Sequence, residues 1–163
     1  MLSYIVRSIP NLFTLGNLMS GVFSITFAMN GFYKIASLLI FLSAFLDLFD
    51  GRLARKLKVT NQVGVELDSL ADVVSFGVAP AILFHTMAEP GFLTNLAFVM
   101  YPTMGALRLA RFNVKPTVGY FVGVPITFAG LTMSLMMLFS FSNGLIPILL
   151  ALLMVSPFRV MKF

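Results

Sequence analysis

The chain of 163 residues is long enough for one ordinary domain, but 59% of its residues are hydrophobic and only 10% are charged. A typical globular protein carries about 25% charged residues, so this composition excludes a water-soluble enzyme and a disordered chain. Because the chain has no cysteine, a disulfide scaffold is excluded as well.

Six apolar segments approach the roughly 20 residues that a membrane-spanning helix needs. Short turns rich in Gly, Pro and Asn, at residues 30–31, 89–91 and 142–144, separate several of them. The sequence therefore predicts an all-α integral membrane protein with six transmembrane helices, forming a single domain over residues 1–163. The predicted spans are residues 12–29, 32–49 with a polar helical extension to residue 55, 67–87, 92–110, 121–141 and 145–158.

The distribution of the cations predicts an orientation. Six spans place ten of the eleven Lys and Arg residues on one side of the membrane and only Lys34 on the other. Cytoplasmic loops are enriched in Lys and Arg, so we expect cytoplasmic termini in a multi-pass protein of the cell membrane. The same rule explains the net charge of +5 without a nucleic-acid partner. The ten residues are Arg7, Arg52, Arg55, Lys56, Lys58, Arg108, Arg111, Lys115, Arg159 and Lys162.

All four aspartates of the chain fall within 26 residues, at the cytoplasmic ends of the second and third predicted spans. Asp47 and Asp50 are three residues apart, and Asp68 and Asp72 are four apart, so each pair shares one face of its helix. Each would cost about 2.5–3.5 kcal/mol at the centre of an inserted helix. Ionisable groups inside a membrane indicate function by default.

Two divalent cations would neutralise these four carboxylates. Oxygen ligands suit Mg²⁺, Mn²⁺ or Ca²⁺, while a chain with no cysteine and one distant histidine does not suit zinc. The alternative is a set of ion pairs with Arg52 and Arg55, but that does not explain why every aspartate lies in one window. Nearby Gly51, Ala54 and Gly64 would let a ligand approach the backbone, or let helices pack closely, or both.

The whole pattern is Asp47-x2-Asp50-Gly51-x2-Ala54-Arg55-x8-Gly64-x3-Asp68-x3-Asp72. It resembles the signature of the CDP-alcohol phosphotransferase family without departure. The resemblance implies a homodimer of six-helix subunits, each with a two-metal site facing the cytosol. It also implies transfer of a phosphatidyl-type group from a CDP-linked lipid to an alcohol, with release of CMP.

The resemblance also implies roles for individual residues. Asp47, Asp50, Asp68 and Asp72 correspond to the metal ligands, and Asp72 also to the general base for the acceptor hydroxyl. The residues that correspond to CDP contacts are Gly51, Ala54, Arg55 and, in the following loop, Asn61.

Further stretches are similar to the phosphatidylserine synthase branch of the family: residues 9–17, 66–80, 108–113, and 121–126 with Ala129-Gly130. This implies CDP-diacylglycerol and L-serine as substrates. Arg108 and Arg111 could bind the serine carboxylate through their guanidinium groups, with Asn113 as a polar partner. Alternatively, the two arginines only anchor their helix or contact lipid phosphates.

Two other functions stay open. A sister enzyme would use glycerol 3-phosphate or an inositol phosphate as acceptor, and such acceptors call for a denser basic pocket. A divalent-cation transporter is a different class, but it predicts acidic residues spread over the depth of the membrane. Here all four aspartates lie in one layer, which favours the enzyme.

Overall fold

The structure is a computed structural model that describes residues 1–59, 61–116 and 118–161. Lys162, one of the ten cations used to predict the orientation, lies outside these residues. Within them the chain forms seven α-helices and two short strands. The helices are α1 Leu2–Met29, α2 Tyr33–Leu57, α3 Gln62–Asp72, α4 Ala79–Met87, α5 Phe92–Val114, α6 Ile126–Leu138 and α7 Leu145–Val155, and the strands are β1 Tyr120–Val122 and β2 Arg159–Met161.

A π-helical turn, Val73–Val78, joins α3 to α4, so residues 62–87 form one continuous helix. The described chain therefore has six helical segments, and the predicted helical class is confirmed. A π-helical turn of this kind is frequent at functional sites. It begins directly after Asp72, the last residue of the aspartate pattern.

Two of the described helices are long and apolar enough to cross a membrane: α1 with 28 residues and the continuous helix over 62–87 with 26. Helices α6 and α7 are apolar but shorter. Large hydrophobic side chains are exposed on most helices, among them Phe23, Phe45, Val99, Phe128 and Leu149. So much exposed apolar surface is typical of a protein that contacts lipid. Six membrane crossings remain a prediction.

Several helix boundaries differ from the predicted ones. Helix α1 starts ten residues earlier than the predicted first span, and α2 extends to Leu57 as a polar helix, close to the predicted residue 55. The prediction of helix over residues 121–125 is wrong. Gly123 has a φ of +72°, and a Cβ there would lie 2.4 Å from the carbonyl oxygen of Met154. The chain consequently forms β1 first, and α6 begins only after Pro125.

The end of the predicted sixth span is not helical either. Helix α7 stops at Val155, before Ser156 and a proline, and residues 159–161 form β2. Strand β2 pairs antiparallel with β1, with Val122 opposite Arg159. This small sheet joins the end of the chain to the segment that follows α5.

The packing of the bundle centres on the π-helical turn. It contacts α1, α4, α5 and α6, while α1 packs along α2 and α5 packs along α7. Phe76 in this turn is fully buried, and its carbonyl oxygen accepts a hydrogen bond of 2.9 Å from the buried Tyr101 hydroxyl. Gly130 of α6 lies so close that a Cβ there would be 2.9 Å from the Phe76 backbone. The turn after Asp72 is therefore held by close contacts on several sides.

Candidate metal and active site

Three of the four aspartates meet at one point. Asp47 and Asp50 project from the second half of α2, and Asp68 projects from α3. One carboxylate oxygen from each lies within 4.8 Å of the other two. Asp50 is only 5% exposed, whereas Asp47 and Asp68 are half-buried, so the cluster is partly shielded from solvent. The tertiary structure thus brings together acidic residues from two helices, as the sequence pattern predicts.

The turn between α2 and α3 sets this geometry. Lys58 ends α2 in the left-handed conformation with a φ of 52°, and the amide of Val59 donates to the Ala54 carbonyl at 3.1 Å. The side chain of Asn61 then caps α3 by accepting a 2.5 Å hydrogen bond from the amide of Gly64. Such a cap fixes where a helix begins, and with it the register of Asp68.

A cavity of about 120 Å³ lies among α1, α2 and α3, next to Asp50 and Asp68. Gly51, Ala54 and Asn61, three of the four predicted CDP contacts, line it. A Cβ on Gly51 would meet no atom within 4 Å, so its backbone faces open space. Gly64 differs, because a Cβ there would lie 2.8 Å from the Asn61 side chain. The glycine at position 51 therefore leaves space for a ligand, whereas the glycine at position 64 allows close packing against Asn61.

Arg55, the fourth predicted CDP contact, is exposed at the end of α2. Its Nε donates to the carbonyl oxygen of Gly51 at 3.1 Å. In this conformation its guanidinium bonds to its own helix rather than to an aspartate, so the alternative of an Asp–Arg pair gains no support from Arg55. Its role toward CDP stays a prediction.

Helix α1 supplies two side chains that the sequence interpretation did not assign. Thr14 Oγ1 donates to Asp50 Oδ2 at 2.5 Å, and Asn17 Nδ2 donates to Asp72 Oδ1 at 3.3 Å. Both residues are buried, at 3% and 0% exposure. A signal was present in the sequence, since Asn11, Thr14 and Asn17 recur every third residue in the first predicted span and the turn before it. Spacing alone could not identify the carboxylates that they contact.

Asp72 lies beside the cluster but outside the group of three close oxygens. It ends α3, is 7% exposed, and is near Asp47 and Asp68. One of its oxygens is occupied by the Asn17 amide. Asp72 therefore contacts the cluster but also has a partner on α1, and its role as general base stays a prediction.

The donor set fits a divalent cation. Three carboxylates supply hard oxygen ligands of the kind that Mg²⁺ and Mn²⁺ prefer. Asp68 Oδ1 is buried and has no hydrogen-bond partner. A buried carboxylate oxygen without a partner is costly, and a bound cation would satisfy it. Asp47, Asp50 and Asp68 are therefore residues that could hold a metal.

A second, larger cavity of about 610 Å³ opens near the end of α5, and it is lined in part by α7 and β1. Arg108, Arg111 and Lys115 line it, together with apolar side chains and Ser156. Arg108 is 9% exposed, and its Nε is buried without a hydrogen-bond partner. Its guanidinium lies close enough to Asp72 to be attracted by that carboxylate. This cavity therefore combines positive charge with proximity to the aspartates.

Asn113, the third predicted serine contact, is not among the residues that line this cavity in the described structure. Its Nδ2 donates to Ser69 Oγ at 2.8 Å. Ser69 lies between Asp68 and Asp72 on α3, so Asn113 ties the end of α5 to the helix that carries two of the aspartates. This contact is a structural one, and a contact with serine stays a prediction.

Residues 7–157 match the family model described as CDP-alcohol phosphatidyltransferase. This covers more than half of the chain, so the protein belongs to that family. The family is metal-dependent, which agrees with the aspartate cluster. Its membrane character, together with the exposed apolar helices, assigns this protein to a membrane.

Individual members of the family with assigned names are similar to this chain over most of its length. The chain is 40% identical over 147 residues to the CDP-diacylglycerol–serine O-phosphatidyltransferase of Bacillus subtilis, covering 88% of this chain and 80% of the relative. It is 38% identical over 134 residues to the Helicobacter pylori protein of the same name, covering 79% of this chain but only 56% of the relative. It is 37% identical over 160 residues to the archaetidylserine synthase of Methanothermobacter thermautotrophicus, covering 91% of this chain and 67% of the relative.

Proposed function

We infer that this protein transfers a phosphatidyl-type group from a CDP-linked lipid to the hydroxyl of L-serine and releases CMP. The observation that carries the proposal is the cluster of Asp47, Asp50 and Asp68 oxygens within 4.8 Å, in a chain of this family. The names of the relatives supply serine as the acceptor. Both diacylglycerol and archaeal ether lipid are compatible donors.

The proposed roles follow the geometry. Asp47, Asp50 and Asp68 hold divalent metal, with Asp72 contributing to a second ion, and Mg²⁺ and Mn²⁺ are the candidates. Metal bound there would supply positive charge to bind the diphosphate of the donor. The small cavity beside Gly51, Ala54 and Asn61 receives the CDP group, and Arg55 at its rim contacts it.

The reaction itself needs a proton acceptor. The serine hydroxyl oxygen forms a new bond to the phosphorus of the phosphatidyl group, and the bond from that phosphorus to the CMP oxygen breaks. The hydroxyl proton passes to Asp72, through the oxygen that Asn17 does not occupy. Asp72 is proposed for this role because it lies outside the group of three oxygens.

The acceptor would reach Asp72 from the larger cavity. Arg108, whose Nε is buried without a partner, lies both in the cavity wall and close to Asp72. A guanidinium can bind a carboxylate with two parallel hydrogen bonds. Arg108 and Arg111 are therefore proposed to bind the serine carboxylate, with Asn113 as an indirect partner through Ser69.

The remaining parts of the proposal concern the assembly. The chain acts as one domain over residues 1–163, crosses the cell membrane six times with cytoplasmic termini, and presents the aspartates to the cytoplasm. It forms a homodimer, as implied by the family resemblance. No nucleic acid takes part.

One observation favours a second acceptor class. Three cations line the larger cavity, and no acidic side chain is among the described residues of its wall. A phosphate-bearing acceptor, such as glycerol 3-phosphate or an inositol phosphate, would also suit that charge. The transporter alternative has less support, because the aspartates gather at one point rather than along a path.

The test is an alcohol-selectivity assay with purified protein, one CDP-lipid donor and Mg²⁺ or Mn²⁺. We expect incorporation of labelled serine into lipid and none with the phosphate-bearing alcohols. Asp68→Asn should lower turnover at least 100-fold, and Arg108→Lys should raise KM for serine without an equal effect on KM for the donor. Transfer to glycerol 3-phosphate in place of serine would favour the sister enzyme, and metal flux into liposomes without transfer would favour the transporter.

A further inference from the structure

Asn17 lies beside Asp72, the proposed general base, and contacts its carboxylate. It is completely buried within α1, and its Nδ2 donates to Asp72 Oδ1 across 3.3 Å. Asp72 belongs to a different helix, 55 residues further along the chain. An amide N–H directed at a carboxylate fixes which oxygen is occupied and so orients the whole group.

The backbone of Asn17 is itself held from two sides. Its carbonyl oxygen accepts a hydrogen bond of 3.1 Å from Ser43 Oγ on α2 and one of 3.0 Å from Ser75 Oγ in the π-helical turn. Ser43 lies one turn before Asp47, and Ser75 lies three residues after Asp72. A Cβ on Gly21 would lie 2.3 Å from Ser75 Oγ, so the glycine permits this approach. Asn17 is consequently anchored to both helices that carry aspartates.

The other end of the Asn17 amide is unsatisfied. Its Oδ1 is buried and has no hydrogen-bond partner in the described structure. A buried amide oxygen without a partner costs free energy, and each such exception in a folded protein calls for an explanation. The orientation that places Nδ2 toward Asp72 is therefore kept in spite of that cost.

We propose that Asn17 is a positioning residue that holds Oδ1 of Asp72 and so directs the other oxygen of this carboxylate toward the acceptor hydroxyl. This inference rests on the proposed function. Only the Asp47, Asp50 and Asp68 oxygens form the close group, whereas Asp72 has its Oδ1 held by Asn17. Proton transfer requires the base within hydrogen-bond reach of the hydroxyl, so the rate depends on how Asp72 is oriented.

The test uses the full chain in lipid nanodiscs and the variant Asn17→Leu, whose side chain branches at the same carbon but has no donor. We expect kcat to fall about 10- to 100-fold, a part of what a positioned base contributes. KM for serine and KM for the CDP-lipid should each stay within about twofold. The same holds for Mn²⁺ affinity at the site of Asp47, Asp50 and Asp68, measured by electron paramagnetic resonance of unbound Mn²⁺, because these three aspartates are untouched and Asp72 is proposed to contribute only to the second ion. Asn17→Ala, which also lacks the donor, should behave in the same way.

The matched control is Ser24→Ala. Ser24 is also fully buried on α1 and donates a 2.7 Å hydrogen bond to the Ala36 carbonyl, but it lies seven residues beyond Asn17. We expect kcat of this variant to remain within about twofold of the unmodified protein, since the residue is remote from the aspartates. Thermal unfolding of each variant shows whether the fold is retained.

The possible outcomes distinguish a failure of the proposed transferase function from a failure of the positioning role of Asn17. If the unmodified protein transfers lipid to no alcohol, the proposed function fails. If it is active but kcat of Asn17→Leu stays within twofold, the positioning role is wrong. A parallel loss of Mn²⁺ affinity at the site of Asp47, Asp50 and Asp68, an equal loss of kcat in Ser24→Ala, or failure of both Asn17 variants to fold would each show a structural role and overturn the proposal.

Discussion

The hydroxyl of Thr14 donates a hydrogen bond of 2.5 Å to the carboxylate of Asp50 and so links α1 to the aspartate cluster on α2. Thr14 is buried, and Asp50 is one of the three aspartates whose oxygens converge. Side chains that hydrogen-bond to a metal ligand orient it, and their loss typically lowers metal affinity about 10- to 100-fold. The first helix is therefore part of the site, although it contributes no aspartate.

Thr14→Val should weaken metal binding. Valine has nearly the same shape as threonine but cannot donate to Asp50, so we expect Mn²⁺ affinity to fall about 10-fold. Electron paramagnetic resonance of unbound Mn²⁺ measures this directly. Thr26→Val on the same helix is the control, because the exposed Thr26 hydroxyl bonds only to the Val22 carbonyl. Equal affinities in the two variants would show that the Thr14 contact does not support the metal site.

Gly51→Val should block the small cavity without disturbing the fold. No atom lies within 4 Å of the position of a Cβ on Gly51, so the new side chain has room, but that room is in the cavity beside Asp50. We expect KM for the CDP-lipid to rise at least 10-fold, with little change in the unfolding temperature. Gly91→Val has similar open space away from the site and should leave KM unchanged. An unaltered KM in Gly51→Val would contradict the assignment of this cavity to CDP.

Gly21→Ala should destabilise the protein. The added methyl group would lie 2.3 Å from Ser75 Oγ and 2.9 Å from Ser75 Cα, so the π-helical turn or α1 must move. Overpacking of this kind costs about 1–3 kcal/mol. Denaturation in detergent measures the loss, and Gly16→Ala is the control, since its methyl would meet only the end of the flexible Leu46 side chain at 3.3 Å. Equal stability of both variants would mean that the contact at Gly21 relaxes freely.

Tyr101→Phe should loosen the π-helical turn. The fully buried Tyr101 hydroxyl donates to the Phe76 carbonyl at 2.9 Å, and removing it leaves a buried carbonyl oxygen without this partner. We expect a loss of about 1–3 kcal/mol of stability in thermal or chemical unfolding. Tyr33→Phe provides the comparison, because its exposed hydroxyl makes only a 3.5 Å contact with the Thr86 carbonyl. A larger loss in Tyr33→Phe would argue against the proposed importance of the Phe76 contact.

The predicted orientation can be tested with single cysteines, because the chain has none of its own. In intact cells, a membrane-impermeant maleimide should label Lys34→Cys, which lies at the start of α2, the end of this helix that is expected outside. Lys56→Cys, at the end of α2, should react only after the membrane is opened. Labelling of Lys56→Cys in intact cells, with Lys34→Cys protected, would show that the protein has the opposite orientation in the membrane.

The sequence by itself determined the helical class and the composition of the acidic site. Long apolar segments can satisfy their backbone only as helices in lipid, and spacings of three and four residues place aspartates on one helix face. Hydropathy could not predict where α6 begins, since residues 121–125 are as apolar as a helix would be. The positive φ of Gly123 and the nearby Met154 carbonyl decide that boundary through contacts distant in the chain.

Only the tertiary structure decided which groups the four aspartates contact. In the sequence they form two equivalent pairs, whereas in the fold Asp47, Asp50 and Asp68 converge and Asp72 is held by Asn17. Thr14 and Asn17 acquire their partners from helices 36 and 55 residues away. Helical periodicity relates residues within one helix but contains no information on which faces of two helices meet. That arrangement depends on close packing at Gly21, Gly130 and the π-helical turn, where side-chain volume rather than local pattern sets the geometry.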